Sequence, residues 1–344
     1  MTVLITGGAG FIGSTFVKNW VETEQEELIN LDKLTYAGNL KNLQSVKEKK
    51  GYKFIKGDIC NAKLIAEIFK YFKPGAVINF AAETHVDRSI NDGGEFIHAN
   101  VVGTSNLLQQ SRDYWAQLNH ERQEEFRFLQ VSTDEVYGSL ELTEAGFTET
   151  HAYRPNNPYS ASKAAADHLV NAYFHTHGLP TLITHTSNNY GPFQFPEKLI
   201  PLIIHNAING EVLPIYGDGK QIRDWIFVDD NCSAIRKVLK KGVPGQSYNI
   251  GAQNEKTNIE IVHTICDLLL DYHPLPRNSS ISNYKELIKF VRDRPGHDRR
   301  YAIDSTKIEN ELGWKPIQTF ESGSRITVKW YLDNQEWTNQ LVGR

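Results

Sequence analysis

The chain has 344 residues, 40% hydrophobic and 23% charged, with 37 Lys and Arg against 41 Asp and Glu, a formal net charge of −4. That length can bury a large core and more than one lobe, and the charge balance offers no basic footprint for nucleic acid. Apolar runs are short and interrupted by charge, so none spans a membrane; the first strand follows Met1 at once, so no signal peptide is expected.

The first predicted element is a strand, Val3-Leu4-Ile5-Thr6, which breaks at Gly7-Gly8-Ala9-Gly10-Phe11-Ile12-Gly13. An amphipathic helix follows through Phe16, Val17, Trp20 and Val21. Gly8, Gly10 and Gly13 satisfy G-x-G-x-x-G, and a G-x-x-G-x-x-G spacing starts from Gly7. A Cβ here would keep a pyrophosphate from the backbone amides of the helix N-terminus, so strand, glycine turn and helix together indicate a dinucleotide site. The second strand, Leu28–Leu31, ends in Asp32, where a carboxylate bonds the adenosine ribose hydroxyls and repels a 2′-phosphate. NAD is therefore expected, with Lys33 next door leaving NADP open.

Strands and helices then alternate, as in a doubly wound parallel sheet of Rossmann type. Tyr52–Ile55 closes at Asp58, which could accept from the adenine amino group; Ala76–Phe80 closes at Ala81 and Ala82, small enough for close cofactor approach. Phe126–Val131 leads to Thr133, Asp134 and Glu135. Ligands of open α/β sheets lie beyond the carboxyl ends of strands, where all these residues fall. Tyr159 and Lys163 open a helix at i and i+4, so the ammonium can lower the phenol pKa for removal of an alcohol proton as hydride leaves the same carbon. Asp134 and Glu135 add an acid and a base that oxidation alone does not need, but dehydration does.

The remaining strand of this lobe is Thr181–Thr186. The NAD-binding lobe is expected over residues 1–190, with segments around 225–250 (Ile226–Val228 and Tyr248–Ile250 as strands) crossing back. A smaller mixed α/β lobe over 191–344 takes substrate. Lys47–Lys50 reads as a solvated helix end. Cys60, Cys232 and Cys266 are far apart and odd in number, as in reduced thiols of a cytoplasmic protein. The histidines form no zinc-type cluster, His175 and His177 reading as a helix end, so no metal is assigned.

Longer stretches carry a resemblance. They include Asp32–Leu40, Glu83–Ser89, Ser132–Gly138, Tyr159–Lys163, Ser187–Pro192, Phe195–Pro201, Gln221–Trp225 and Asp293–Tyr301. With these the chain closely resembles the extended short-chain dehydrogenase/reductase family, and within it the sugar-nucleotide 4,6-dehydratases that act on dTDP-glucose. The likeness runs from the glycine turn to about Leu332. Thr-Asp-Glu ahead of Tyr-x-x-x-Lys is the part that marks dehydratases, since related epimerases usually lack the acid–base pair.

The resemblance implies a hydro-lyase with bound NAD, regenerated each turnover. Tyr159 takes the C4 hydroxyl proton as hydride passes from C4 to NAD, with Lys163 assisting and Thr133 bonding that oxygen. Glu135 removes the C5 proton, Asp134 protonates the departing C6 hydroxyl, and hydride returns to C6. The product is a 4-keto-6-deoxy sugar nucleotide, a precursor of deoxysugars such as rhamnose. Cofactor contacts are implied at Gly7, Gly10, Phe11, Ile12, Gly13, Asp32, Lys33, Thr35, Gly38, Asp58, Ile59, Ala81, Ala82, Tyr159 and Lys163. Substrate contacts are implied at His85, Thr133, Asn188, Glu197, Lys198, Pro214, Tyr216, Arg223, Arg294 and His297, with the two arginines on the diphosphate and Tyr216 on the base. His85 could equally make a structural hydrogen bond. Thymine over uracil rests on one methyl contact, about 1–3 kcal/mol.

The short loop Ser139–Gly146, and His185 with Thr186, depart from the family pattern, and Asn334–Arg344 lies beyond its core with no assigned role. A homodimer is expected through the helix of Tyr159 and the helix preceding it, Leu169, Val170, Tyr173 and Phe174 supplying apolar surface. The alternatives are a UDP-sugar 4-epimerase, for which Asp134 and Glu135 would be superfluous, and an idle NAD-bound scaffold, which would not need Tyr159 and Lys163.

Overall fold

The structure is a computed structural model that describes residues 2–342. In chain order the strands are β1 (Thr2–Thr6), β2 (Glu27–Asp32), β3 (Tyr52–Lys56), β4 (Ala76–Asn79), β5 (Arg127–Thr133), β6 (Thr181–Thr186), β7 (Asn188–Tyr190), β8 (Leu213–Tyr216), β9 (Ile222–Phe227), β10 (Ser247–Ile250), β11 (Glu255–Thr257) and β12 (Ile288–Val291). Seven of them form a sheet in the order β10-β6-β5-β4-β1-β2-β3, and every pairing is parallel. Both faces are covered, as parallel sheets require. Within β1, Val3 and Ile5 enter the core on one side and Leu4 enters the core on the other. The strand order reverses between β1 and β4, which opens a crevice at their carboxyl ends.

The glycine turn is shaped by close approach. Gly7 has φ +72°, and a Cβ there would lie 2.6 Å from the Ala81 nitrogen. A Cβ on Gly13 would lie 2.3 Å from the Gly7 carbonyl oxygen, so this glycine lets the helix Phe11–Thr23 pack onto the turn. Gly10 caps that helix without a side-chain hydrogen bond. The helix Pro158–His177 begins more firmly: Asn157 accepts from the Ser160 amide at 2.8 Å, Pro158 stands at the first position, and Gly178 ends the helix at φ +72°.

The second lobe holds a three-stranded sheet, β11-β9-β7, and the pair β12-β8. Its core gathers Ile203, Ile215, Trp225, Ile265, Phe320 and Tyr331. The expected crossing back is present in altered form. Tyr248–Ile250 lies in β10, at the edge of the main sheet, but Ile226 and Phe227 belong to β9 in the small sheet. Val228 opens a helix, Val228–Lys241, whose Cys232, Ile235 and Val238 join the core over the main sheet. The helix Thr306–Leu312 returns as well, through Ile308 and Leu312.

Three further expectations change. Lys47–Lys50 lies in turns after a short 3-10 helix, Leu40–Leu43, and is not a helix end. Val170 is fully buried with Phe128 and Ile183, and Leu169 and Tyr173 pack partly buried against that core, so Val170 cannot serve the expected face while Leu169, Tyr173 and Phe174 stay partly exposed. The exposed apolar side chains nearby are Ile97 and Val102, on the preceding helical segment. The tail is not idle either. Trp337, in the helix Gln335–Asn339, donates to Asn42 Oδ1 at 3.0 Å, and Asn42 donates to the Ala9 carbonyl of the glycine turn at 3.1 Å. Gly343 and Arg344 lie outside the described residues.

Gly10 and Gly13 should respond differently to a methyl group. Gly13→Ala meets backbone and should lower the unfolding free energy by about 1–3 kcal/mol. Gly10→Ala meets only the Gly7 oxygen, at 3.4 Å, and in the ligand-free protein should stay within about 0.5 kcal/mol. Urea unfolding of both variants checks this, and equal losses would contradict it.

Candidate active site

A cavity of about 540 Å³ opens along the carboxyl ends of β1, β2, β4 and β5 and runs into the second lobe. Every site residue named from the sequence lines it. At one end are the glycine turn, Asp32, Lys33, Thr35, Gly38, Asp58, Ile59, Ala81 and Ala82. Thr133, Asp134, Glu135, Tyr159 and Lys163 stand at the centre, where β5 ends and the helix Pro158–His177 begins. Asn188, Glu197, Lys198, Pro214, Tyr216, Arg223, Arg294 and His297 come from the second lobe, and His85 from the segment after β4.

The cofactor end fits a dinucleotide. The glycines leave room where a Cβ would intrude, and the uncapped start of the helix Phe11–Thr23 presents amide donors to an anion. Asp32 is tied to this turn, its Oδ2 accepting from the Ala9 amide at 2.8 Å and its Oδ1 from Leu34 at 2.7 Å. Lys33 pairs with Asp58 at 2.9 Å, so its ammonium is engaged where a 2′-phosphate would have needed it. This arrangement favours NAD.

At the centre, β5 delivers Thr133, whose Oγ accepts from the Glu135 amide at 3.3 Å and caps the 3-10 turn Asp134–Tyr137. The turn sets the two adjacent carboxyls in different surroundings. Burial pushes Asp134 well above the usual carboxylate range, the charges of Glu135 and Asp224 push it further, and Arg223 opposes them. Its Oδ2 has no hydrogen-bond partner among the described residues. Burial raises Glu135 too, but Arg223, an Asn157 amide at 3.5 Å and Lys198 all pull it down. Both carboxyls are thus raised by burial, but Glu135 has three polar groups favouring its ionised form where Asp134 has carboxylate charges against it.

Tyr159 and Lys163 share a helix face. Lys163 Nζ donates to the Val131 carbonyl at 2.8 Å. Burial raises Tyr159, Glu135 and Asp134 raise it further, and Thr133 pulls it down. Burial lowers Lys163, and Asp167 opposes that.

The second-lobe residues also differ in part from their expected dispositions. Arg223 spends its Nη1 on the Ile222 carbonyl at 2.7 Å and its Nη2 on the Asp298 carbonyl at 2.9 Å, so its charge acts on Asp134 and Glu135. Arg294 pairs with Asp87, Nη2 to Oδ2 at 3.1 Å, and its guanidinium lies 5.3 Å from the Tyr216 ring. His85 is doubly engaged: Nδ1 accepts from the Arg88 amide at 3.3 Å, and Nε2 is 3.2 Å from Glu197. Glu197 also accepts from the Tyr36 hydroxyl at 3.2 Å, joining the two lobes over the cavity. His297 Nδ1 is 2.7 Å from Asp293. Sequence reasoning missed Asn157, Asp298 and Tyr301 in the lining. Asn157 before Pro158 carries a helix-cap signal, which could have placed it beside Tyr159; Asp298 and Tyr301 lie in the stretch Asp293–Tyr301 that carries the resemblance, their only signal.

The family described as GDP-mannose 4,6 dehydratase matches residues 4–327. The chain belongs to this family. It is 55% identical over 340 residues to a dTDP-glucose 4,6-dehydratase of Neisseria meningitidis serogroup B, spanning 99% of this chain and 96% of that one. That span takes in most of the tail. The fold is similar to the crystal structure of dTDP-glucose 4,6-dehydratase from Bacillus anthracis in complex with NAD, at TM-score 0.87 and 45% identity over 99% of both chains. It is also similar to the Streptomyces venezuelae dTDP-glucose 4,6-dehydratase with NAD bound, at TM-score 0.88 and 42% identity, covering 99% of this chain and 100% of that one.

The raised carboxyls carry a stability consequence. A group whose folded pKa lies above its unfolded value stabilises the fold fully below the unfolded value and loses that contribution as pH rises through the folded one. Asp134→Asn removes this liability and should stabilise the ligand-free protein by about 1–2 kcal/mol at about pH 8. The gain should shrink below about pH 4, where an ordinary aspartate is itself protonated. Denaturant melts at both pH values check it, and a variant less stable than the parent at the higher pH would contradict it.

Proposed function

We propose that the protein is an NAD-dependent hydro-lyase that converts dTDP-glucose into dTDP-4-keto-6-deoxyglucose. The observation that carries this reading is the placement of two adjacent carboxyls, Asp134 and Glu135, in unlike surroundings beside Tyr159 in one cavity. NAD would be held by the glycine turn and Asp32 and would supply the hydride chemistry at C4 and C6. Tyr159 takes the C4 hydroxyl proton, and Thr133 bonds that oxygen and holds it toward the phenol. The 4-ketone acidifies the C5 proton, which Glu135 removes because Arg223, Lys198 and Asn157 favour its ionised form. Asp134, whose hold on its proton burial and two neighbouring carboxylates strengthen, gives that proton to the C6 hydroxyl, which departs as water. C5 then regains a proton from Glu135, exchangeable with solvent. The proton that Tyr159 took from the C4 hydroxyl is released to replace, through solvent, the one Asp134 lost, so acid and base are restored.

Arg294, His297, Tyr216 and Pro214 border the part of the cavity that suits the nucleotide diphosphate. Arg294 would exchange Asp87 for phosphate oxygens, a bidentate partner of the same charge. An epimerase would share Tyr159 and Lys163 but would have no use for a buried, protonated Asp134. Three unpaired cysteines, and the absence among the described residues of any helix long and apolar enough to cross a membrane, fit a cytoplasmic enzyme. We also assign a homodimer, now with Ile97 and Val102 as its apolar surface in place of the buried Val170. Light scattering at the mass of one chain would contradict it.

Oxidation and elimination should separate in variants. Tyr159→Phe should slow the first appearance of reduced nicotinamide by about 10²–10⁴-fold. Glu135→Gln and Asp134→Asn should still form it with dTDP-glucose but slow water loss by about 10²–10⁴-fold. Stopped-flow absorbance paired with product mass spectrometry reads both steps. Water loss at the parent rate in Glu135→Gln would sink the assignment.

A further inference from the structure

Behind Tyr159 and Lys163 lies a buried polar cluster that the steps above leave unused. Asp167 stands one helical turn beyond Lys163 on Pro158–His177, so the two share a face. Asp167 and His185 are both fully buried. Ser132 donates its hydroxyl to Asp167 Oδ2 at 2.5 Å, and His185 Nε2 lies 3.4 Å from the same oxygen. Asp167 Oδ1 has no hydrogen-bond partner among the described residues. The Lys163 ammonium, 4% exposed, donates to the Val131 carbonyl. A buried ammonium and a half-satisfied buried carboxylate on one helix face are each costly alone and compensate each other.

The histidine is held to this arrangement from several elements. Asn249 donates its amide to the Phe147 carbonyl at 2.8 Å, which turns its Oδ1 to accept the Tyr137 hydroxyl at 2.9 Å. With its proton committed there, the Tyr137 oxygen accepts from His185 Nδ1 at 3.1 Å. His185 Nε2 is thereby left to accept from the Tyr153 hydroxyl at 2.8 Å, with Asp167 Oδ2 3.4 Å away. Tyr137 belongs to the same 3-10 turn as Asp134 and Glu135, and Ser132 precedes Thr133.

We infer that Asp167 is a positioning residue for the reaction: it is the fixed counter-charge that keeps Lys163 an ammonium beside Tyr159, and Ser132 holds it there. The inference rests on the dehydratase reading for what the ammonium serves. Lys163 shares a helix face with Tyr159 and Asp167, and the cavity with Asp134 and Glu135 from the turn after β5. Tyr137, Tyr153 and His185 pack around Asp167 from the turn, the segment before the helix and β6. Among these charges, Asp167 is the one that opposes the effect of burial on Lys163. Its direct influence on Tyr159 is weaker than that of Glu135.

The test is the pH profile of Asp167→Asn, with Asp167→Glu as rescue. Loss of the counter-charge lowers the lysine further, so the alkaline limb of kcat should move down by about one pH unit, about a tenfold loss at a fixed alkaline pH. The KM for dTDP-glucose should hold within about twofold, because the substrate is bound by other residues. Asp167→Glu should restore the limb, and Ser132→Ala should shift it the same way by less, which covers failure of the first variant to fold. A merely structural role would lower kcat equally at every pH, leave the limb in place and overturn the inference. A double-mutant cycle of Asp167→Asn with Lys163→Met, read by urea unfolding of the protein without substrate, separates this from failure of the dehydratase reading. Asp167→Asn should cost markedly less stability once Lys163 is gone, and the same cost in both backgrounds would overturn the inference whatever reaction the enzyme performs.

Discussion

Two adjacent carboxyls buried in one cavity cannot both be ionised cheaply, and the rest of the site depends on how that conflict is resolved. Asp134 has a buried oxygen without a partner among the described residues, and the charges of Glu135 and Asp224 act on it. Glu135 faces Arg223, Lys198 and Asn157. One residue step along the chain thus separates an acid from a base. The separation needs both lobes: Asn157 comes from the start of the Tyr159 helix, Arg223 from β9, and Lys198 from the segment that also binds the Thr84 carbonyl at 3.3 Å.

The sheet explains why these groups meet. Parallel pairing sends every strand's carboxyl end to one edge, and the reversal between β1 and β4 keeps that edge open. The cofactor turn and the acid–base turn are therefore neighbours although Gly10 and Asp134 are far apart in sequence. A buried ladder ties the intervening strands together. Thr6 donates to Asn79 at 2.6 Å, and Asn79 donates to Gln130 at 2.8 Å. The tail reinforces the same turn from outside through Trp337, Asn42 and Ala9.

Much of this was legible in the sequence where a local signal exists. The glycine spacing, Asp32 at a strand end, and Thr-Asp-Glu before Tyr-x-x-x-Lys each couple a short pattern to a fixed backbone geometry, and the cavity gathers all of them. What was not legible depends on tertiary partners. Val170 reads as surface on a helix, yet Phe128 and Ile183 cover it. Val228 follows a strand of apolar residues without a polar N-cap, and Phe227 indeed caps its helix with no side-chain bond, so nothing in the sequence marked the change from strand to helix. The partners of Arg223 are backbone carbonyls, which no residue pattern announces. Lys163 was expected to act on Tyr159 through helical spacing alone, but spacing does not show that a strand carbonyl competes for the ammonium.

The central claim is that this cavity removes water from a dTDP-hexose with a cofactor it already holds. The most direct measurement is mass spectrometry of products from dTDP-, UDP-, GDP- and CDP-glucose, each incubated in heavy water with the purified protein and no added NAD. The account predicts loss of one water from dTDP-glucose, with deuterium entering at C5 and C4–H carried to C6. Interconversion of glucose and galactose without loss of mass would contradict it and leave Asp134 and Glu135 without the roles given to them.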